Sequence, residues 1–418
     1  MSKTRTEKDS MGEIQVPANA LYGAQTQRAI QNFDIGQQTM PVEFVRALIH
    51  IKGAAARANA RLGCLPAPIA AAIGYACDSL LEDQQLMTHF PVDVYQTGSG
   101  TSTNMNANEV IARLASDKLG DEVNPNDHVN FGQSSNDVIP STIHVSASLA
   151  VTQQLIPALN DLRFVIDDKA SSLQDICKTG RTHLMDALPI RMDQALSAWS
   201  AQVARNLAQL HDLQSATHQL ALGGTAIGTG LNSHPEFARE VCQCLSETTG
   251  SLFKPAENPF ALISSQDTAV ALSGALKTCA VSLMKIANDL RWMNSGPLAG
   301  LGEIQLKALQ PGSSIMPGKV NPVIPEAVAM AAAQVMGNDT TIGIAGQSGN
   351  FELNVMLPVI ARNLLDSIGL LSRSARSLGD QAIASFTVNE DKLNEALSLN
   401  PILVTALNPL IGYQKAAE

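Results

Sequence analysis

Three stretches of the chain place apolar residues at alternating steps of four and three. Leu272, Leu276, Cys279, Leu283, Ile286, Leu290 and Met293 form the most regular series. Leu196, Trp199, Val203, Asn206, Leu210, Leu213, Thr217 and Leu220 form a second, interrupted by two polar residues. Leu155, Leu159, Leu162 and Ile166 begin a third, which Leu173 and Ile176 resume. A period near 3.5 residues, held over many turns, predicts long helices packed at shallow angles. A helix of about 28 residues spans about 42 Å, so an elongated bundle is expected. The seams serve both as core within one subunit and as interface between subunits. Strand signals are weak: no Asn-Gly or Asp-Gly turn sits between alternating runs. The expectation is an all-α chain in three parts. Residues 1–135 form shorter helices broken by Pro and Gly, residues 136–388 form the long-helix bundle, and residues 389–418 form a short tail.

Small polar residues collect in islands at the ends of these runs. Residues 96–110 read QTGSGTSTNMNANEV, 124–140 read NPNDHVNFGQSSNDVIP, 180–189 read GRTHLMDALP and 312–322 read GSSIMPGKVNP. Ser134, Ser135, Asn136 and Asp137 precede one predicted helix, with Asn136 or Asp137 expected as its N-cap. Capping needs a single residue, and here there are four. Ser99, Thr101, Ser102, Thr103 and Asn104 lead into another helix in the same way. Hydroxyls, amides and helix N-termini aimed at one point hold a carboxylate without a fixed charge. The loop at 312–322 is no phosphate cradle. Gly312 and Gly318 enclose five residues where a P-loop has four, Pro317 removes an N–H, and Val320 after Lys319 offers no hydroxyl to a magnesium ion. His183 lies at an element end, where catalytic groups gather, and suits proton transfer near neutral pH. No histidine pair has metal-ligand spacing, so acid–base chemistry without a metal or cofactor is expected.

Composition narrows the class. The 418 residues leave room for two or three domains. Only 16% are charged against about 25% in average soluble domains, which suggests helix surface buried between subunits. A net charge of -10 gives no global attraction to nucleic acid or anionic membranes. Cys64, Cys77, Cys177, Cys242, Cys244 and Cys279 lack zinc spacing and read as buried free thiols of a reducing compartment. The N-terminus has no apolar core and reads as neither a signal nor a transit peptide. No uninterrupted apolar run reaches the ~18 residues of a membrane span. A soluble, cytoplasmic protein is expected.

At these motifs the chain resembles a class II fumarase of the fumarase/aspartase superfamily. Residues 312–322 match the family's G-S-S-x-M-P-x-K-x-N-P, the first island its T-G-S-G-T-x-x-N-M-N, the second its S-S-N-D, and residues 181–183 its R-T-H. ALGGTAIGTGLN, residues 221–232, matches a further stretch, and the similarity runs from EKDSMG to the final IGYQKAAE. The resemblance implies reversible hydration of fumarate to L-malate, a tricarboxylic acid cycle step, in a homotetramer with a twenty-helix core. Each active site would draw on three subunits. Ser313 is implied as the base that removes the C3 proton, with Lys319 brought beside it by the closing loop. Ser314, Lys319, Val320 and Asn321 would hold the substrate carboxylates together with Ser99, Gly100, Thr101, Ser134, Ser135, Asn136 and Thr182. His183, paired with Glu326, would activate or protonate the water at C2. Asn124, Pro125, Asn126 and Asp127 would form a second, peripheral anion site.

A proton beside a carboxylate is weakly acidic, so its removal needs preorganised donors for the developing charge. A serine base needs similar help, which a closing loop supplies. Gly312 and Gly318 are the expected hinges, with Ile315 and Met316 packing the lid shut. Two other readings stay open. Aspartate ammonia-lyases tend to carry Thr-Gln at Thr182-His183 and Pro-Ala-Lys at Pro317-Gly318-Lys319. A catalytically idle structural tetramer could dispense with Ser313 or Lys319, both present here. Two departures from the pattern stand out. Fumarases usually read His-Pro-Asn-Asp where this chain begins with Asn124, which removes a titratable group from the second anion site. They also usually extend beyond this chain's end, so apolar surface is expected around Leu403, Leu407 and Ile411.

Overall fold

The computed structural model of the chain describes residues 3–417. Helices carry the fold, and the strands among the described residues pair only as two-stranded sheets. The first apolar series is a single helix, Asp267–Met293, and the second runs through the helix Met192–Thr217, with its last member, Leu220, beyond the helix end in the short strand Gln219–Leu220. Every residue of the series from Leu272 to Met293 is buried, as are Leu196, Trp199, Val203 and Leu210. Each fully buried leucine or isoleucine there contributes roughly 1.5–3 kcal/mol. The third series runs through Ile156–Ser171 and stops there. Leu173 and Ile176 belong to the turn after it, not to a resumed helix.

The chain forms two compact units. The first comprises the chain up to Gln153, Leu210–Gly274 and Gly337–Gly369. Here Val42–Arg61 packs against Ala67–Glu82, Ser135–Ala150 and Phe237–Thr249. The run Ala54, Ala55, Ala56 and Ala58 lets these neighbours approach closely, while Phe44, Leu48 and Ile51 fill the core. Thr101–Leu119 lies against Ala67–Glu82. An antiparallel hairpin pairs Thr4–Asp9 with Gly12–Pro17.

The second unit comprises Gln154–Gln209, Ala275–Met336 and the chain from Leu370 onward. Trp199 Nε1 donates to Asp289 at 3.0 Å, tying two of its helical segments together. The weak strand signal proved misleading here. Cys177–Thr182 and Met185–Arg191 form an antiparallel hairpin turning at His183 and Leu184. Those residues have φ of 56° and 61°. Paired positive φ values make the two-residue turn that matches strand twist, normally built from Asn or Gly. Finding it on His-Leu is the reason the sequence hid it. Leu403, Leu407 and Ile411 are each about two-fifths exposed, as expected.

Candidate active site

In the first unit two helix starts carry the predicted polar groups. Gly100, at φ 72°, caps Thr101–Leu119. A Cβ there would press on Ile139 at 2.9 Å, so the position needs glycine on both counts. Ser99 and Thr101 share a hydroxyl–hydroxyl hydrogen bond of 2.8 Å. Thr103, buried, spends its N–H and hydroxyl on Gln96 Oε1, both at 2.9 Å, and is structural.

The second start is capped by Ser134 rather than by Asn136 or Asp137. Ser134 Oγ accepts the Asn136 N–H, and Asp137 Oδ1 accepts the Ser134 N–H at 2.9 Å, closing a capping box. Asp137 Oδ2 also accepts N–H groups from Gly223 at 3.0 Å and Thr225 at 2.9 Å, pinning the 221–232 stretch to this helix. Burial pushes Asp137 up to about 7, against the pull of these three donors and the charge of Lys52. Asn136 Nδ2 donates to Ala226 O at 2.8 Å, so one of its donors is already committed. Ser135 Oγ accepts from Asn104 Nδ2 at 3.0 Å, which joins the two islands. A cavity of about 420 Å³ bordered by Gln133, Ser134 and Thr229 opens beside this helix start.

In the second unit the loop at 312–322 is closed on itself. Gly312 N–H donates to Lys319 O at 2.9 Å, and Asn321 Nδ2 donates to Gly312 O at 2.7 Å. A Cβ on Gly312 would sit 2.4 Å from Lys319 O, and Gly318 holds φ 80°. Ser313 Oγ accepts two N–H groups, from Ile315 at 3.2 Å and Met316 at 3.0 Å. Lys319 Nζ donates to Asn321 Oδ1 at 2.6 Å. Lys319, Val320, Asn321 and Glu326 border a cavity of about 690 Å³, with Arg291 and Trp292 on its wall. Ser314 is exposed, and Ile315 and Met316, 84% and 50% exposed, stand largely in solvent instead of packing the loop shut as expected.

His183 and Thr182 stand exposed at the hairpin tip. Two cations behind them meet one buried carboxylate. Glu303 pairs with Arg181 at 2.5 Å and with Lys178 at 2.6 Å. The segment carrying Glu303 is held in turn by Asn389, whose N–H donates to Glu303 O at 2.9 Å and whose side chain donates to Gly302 O at 2.6 Å. Arg181 of the R-T-H motif thus anchors the hairpin that displays Thr182 and His183. Sequence reasoning missed Glu303, since a lone acid in LGEIQ carries no local signal. Among the described residues, no hydrogen bond joins His183 to Glu326 within the chain.

At the second anion site Asn124 Oδ1 caps the turn Pro125–Val129, accepting from Asn126 at 2.8 Å and Asp127 at 3.0 Å. Its backbone N–H donates to His128 Nδ1 at 2.9 Å, so an imidazole sits beside the asparagine after all. Cys77, Cys242 and Cys279 are buried thiols pushed up to about 12, whereas Cys177 is exposed, contrary to the expectation of burial throughout.

Comparisons with known proteins identify the family. A family model described as Lyase matches residues 12–337. A Pseudomonas aeruginosa protein named fumarate hydratase class II 2 is 65% identical over 418 residues, covering 100% of this chain and 91% of its own. A Xylella fastidiosa fumarate hydratase class II is 57% identical over 413 residues, 99% of this chain and 87% of that one. The crystal structure of a class II fumarase from Schistosoma mansoni superposes with a TM-score of 0.97 at 40% identity, covering 99% of this chain and 91% of that one. Carrying the loop, both helix starts and the R-T-H hairpin on one fold, the chain belongs to the class II fumarate hydratases of the lyase family.

Proposed function

We propose that the protein hydrates fumarate reversibly to L-malate. The observation that carries the reading is the Ser313 turn, where two backbone N–H groups converge on one hydroxyl oxygen. Donors so placed stabilise an alkoxide and suit Ser313 to proton abstraction. In the dehydration direction Ser313 takes the C3 proton, and the electron pair enters the neighbouring carboxylate as an aci-carboxylate. The pair then returns to form the C2–C3 double bond as the C2–O bond breaks. The departing hydroxide takes a proton from the group at His183 and leaves as water; hydration reverses each step.

The aci-carboxylate carries extra negative charge, and Lys319 and Asn321 are the donors suited to hold it. Ser99, Thr101, Ser135, Asn136 and Thr182 bind the carboxylates as neutral donors. These groups meet in sites shared between subunits of a homotetramer, with His183 of one subunit facing Glu326 of another. One feature supports that assembly: Met330 is 69% exposed on the helix Val323–Gly346. Following fumarate absorbance with the purified protein, with and without ammonia, tests the activity. Consumption without ammonia is expected; consumption that requires ammonia assigns the aspartate reaction instead.

A further inference from the structure

Beneath the two polar helix starts of the first unit lies a lysine that no step above uses, its amine pushed down by burial to about 7. Lys52 is completely buried in Val42–Arg61, among alanine and aliphatic side chains. A methionine fills similar volume without the cost of desolvating a charge, so packing alone does not account for a lysine. Its ammonium donates to Asn130 Oδ1 at 2.9 Å and to Gln133 Oε1 at 3.0 Å. Asn130 Oδ1 accepts two more N–H groups, from Asn104 and Asn108, each at 3.2 Å. The amide nitrogens of Asn130 and Gln133 face carbonyls: Asn130 donates to Gln133 O, and Gln133 to Val129 O and Phe131 O. Both amides are therefore held one way round, oxygen toward the ammonium.

From there one link reaches the proposed site. The Asn104 amide that donates to Asn130 also donates to Ser135 Oγ. A hydroxyl has a single proton to give. With Asn104 occupying a lone pair of its oxygen, Ser135 keeps that proton for another acceptor.

We propose that Lys52 is a positioning residue for substrate: through Asn130 and Asn104 it fixes the Ser135 hydroxyl as a donor to a dicarboxylate's carboxylate. The inference rests on Ser135 touching substrate, as proposed above. The Lys52 amine turns the Asn130 oxygen inward, that oxygen orients the Asn104 amide, and the amide sets the serine rotamer.

A double-mutant cycle on the full-length protein separates the possibilities, with assembly checked by light scattering. Lys52→Met is expected to raise KM for fumarate about tenfold with kcat changed less than about threefold, as loss of one charge-assisted hydrogen bond in substrate binding requires. Ser135→Ala is expected to raise KM by a similar factor, and the double variant to exceed Ser135→Ala by no more than about twofold. A double variant whose loss is the product of the two single losses overturns the relay. Ser135→Ala with an unchanged KM overturns instead the substrate role of Ser135, and the inference falls with it. Should Lys52→Met not assemble, Asn104→Ala cuts the last link with Lys52 in place. It is expected to raise KM as Ser135→Ala does and to be silent in the Ser135→Ala background; a normal KM in Asn104→Ala overturns the proposal.

Discussion

Replacing Ser313 by alanine removes the proposed base and leaves the rest of the loop's closure in place. The clasp between Gly312 and Lys319, and the Asn321 bond to Gly312 O, do not involve the serine side chain. What disappears is one oxygen and the two N–H bonds it accepts. Two hydrogen bonds to a charged oxygen are worth roughly 3–6 kcal/mol in favour of an alkoxide. Loss of an acid–base group lowers kcat by about 10²–10⁴, or roughly 2.7–5.4 kcal/mol of barrier, which the same donors can supply. Ser314→Ala is the comparison, because Ser314 is exposed and is assigned only to binding. Initial rates from fumarate absorbance should show a collapsed kcat for Ser313→Ala at nearly unchanged KM, and a raised KM for Ser314→Ala. A Ser313→Ala enzyme within about threefold of the parent kcat would refute the assignment of the base.

Three further outcomes follow from the structure. Glu303→Gln leaves Lys178 and Arg181 without their shared carboxylate, and breaking such a buried pair costs roughly 3–5 kcal/mol; the denaturant midpoint at fixed protein concentration should fall, with kcat falling as the His183 hairpin loosens, and an unchanged midpoint contradicts the anchoring role. His144 is buried, with Nδ1–H donating to Gln219 O at 2.7 Å, and burial lowers it to about 4 from an ordinary 6.5. Between those values the unfolded chain binds the proton and the folded chain does not, so stability falls as pH drops from 6.5 to about 4, by on the order of 3 kcal/mol in full; His144→Gln should flatten that limb, and a limb of equal slope in the variant counts against it. Mixing inactive Ser313→Ala and His183→Asn subunits, unfolded and refolded together, should restore activity if sites are shared, whereas mixtures that stay inactive would place each site within one chain.

The apolar seams were legible because a 3.5-residue period survives any local irregularity: Leu272 through Met293 is buried as read. Both polar helix starts were legible for a similar reason, since four small polar residues exceed what a cap consumes. The His183 hairpin was not. Turn chemistry is read from Gly and Asn, and tertiary contacts from Glu303 to Arg181 and Lys178 lie behind this one. Strain at two positive φ values, held by contacts far along the chain, leaves no local trace. Lys52 was equally silent, because its partners Asn130 and Gln133 lie about eighty positions away.

The most direct test of the central claim is hydration in heavy water, followed by proton NMR. Purified protein and fumarate in D₂O, without ammonia, should yield L-malate carrying one deuterium at C3, in one configuration, because a single positioned group delivers that atom. No malate, malate labelled equally at both C3 positions, or product only when ammonia is present would contradict the account.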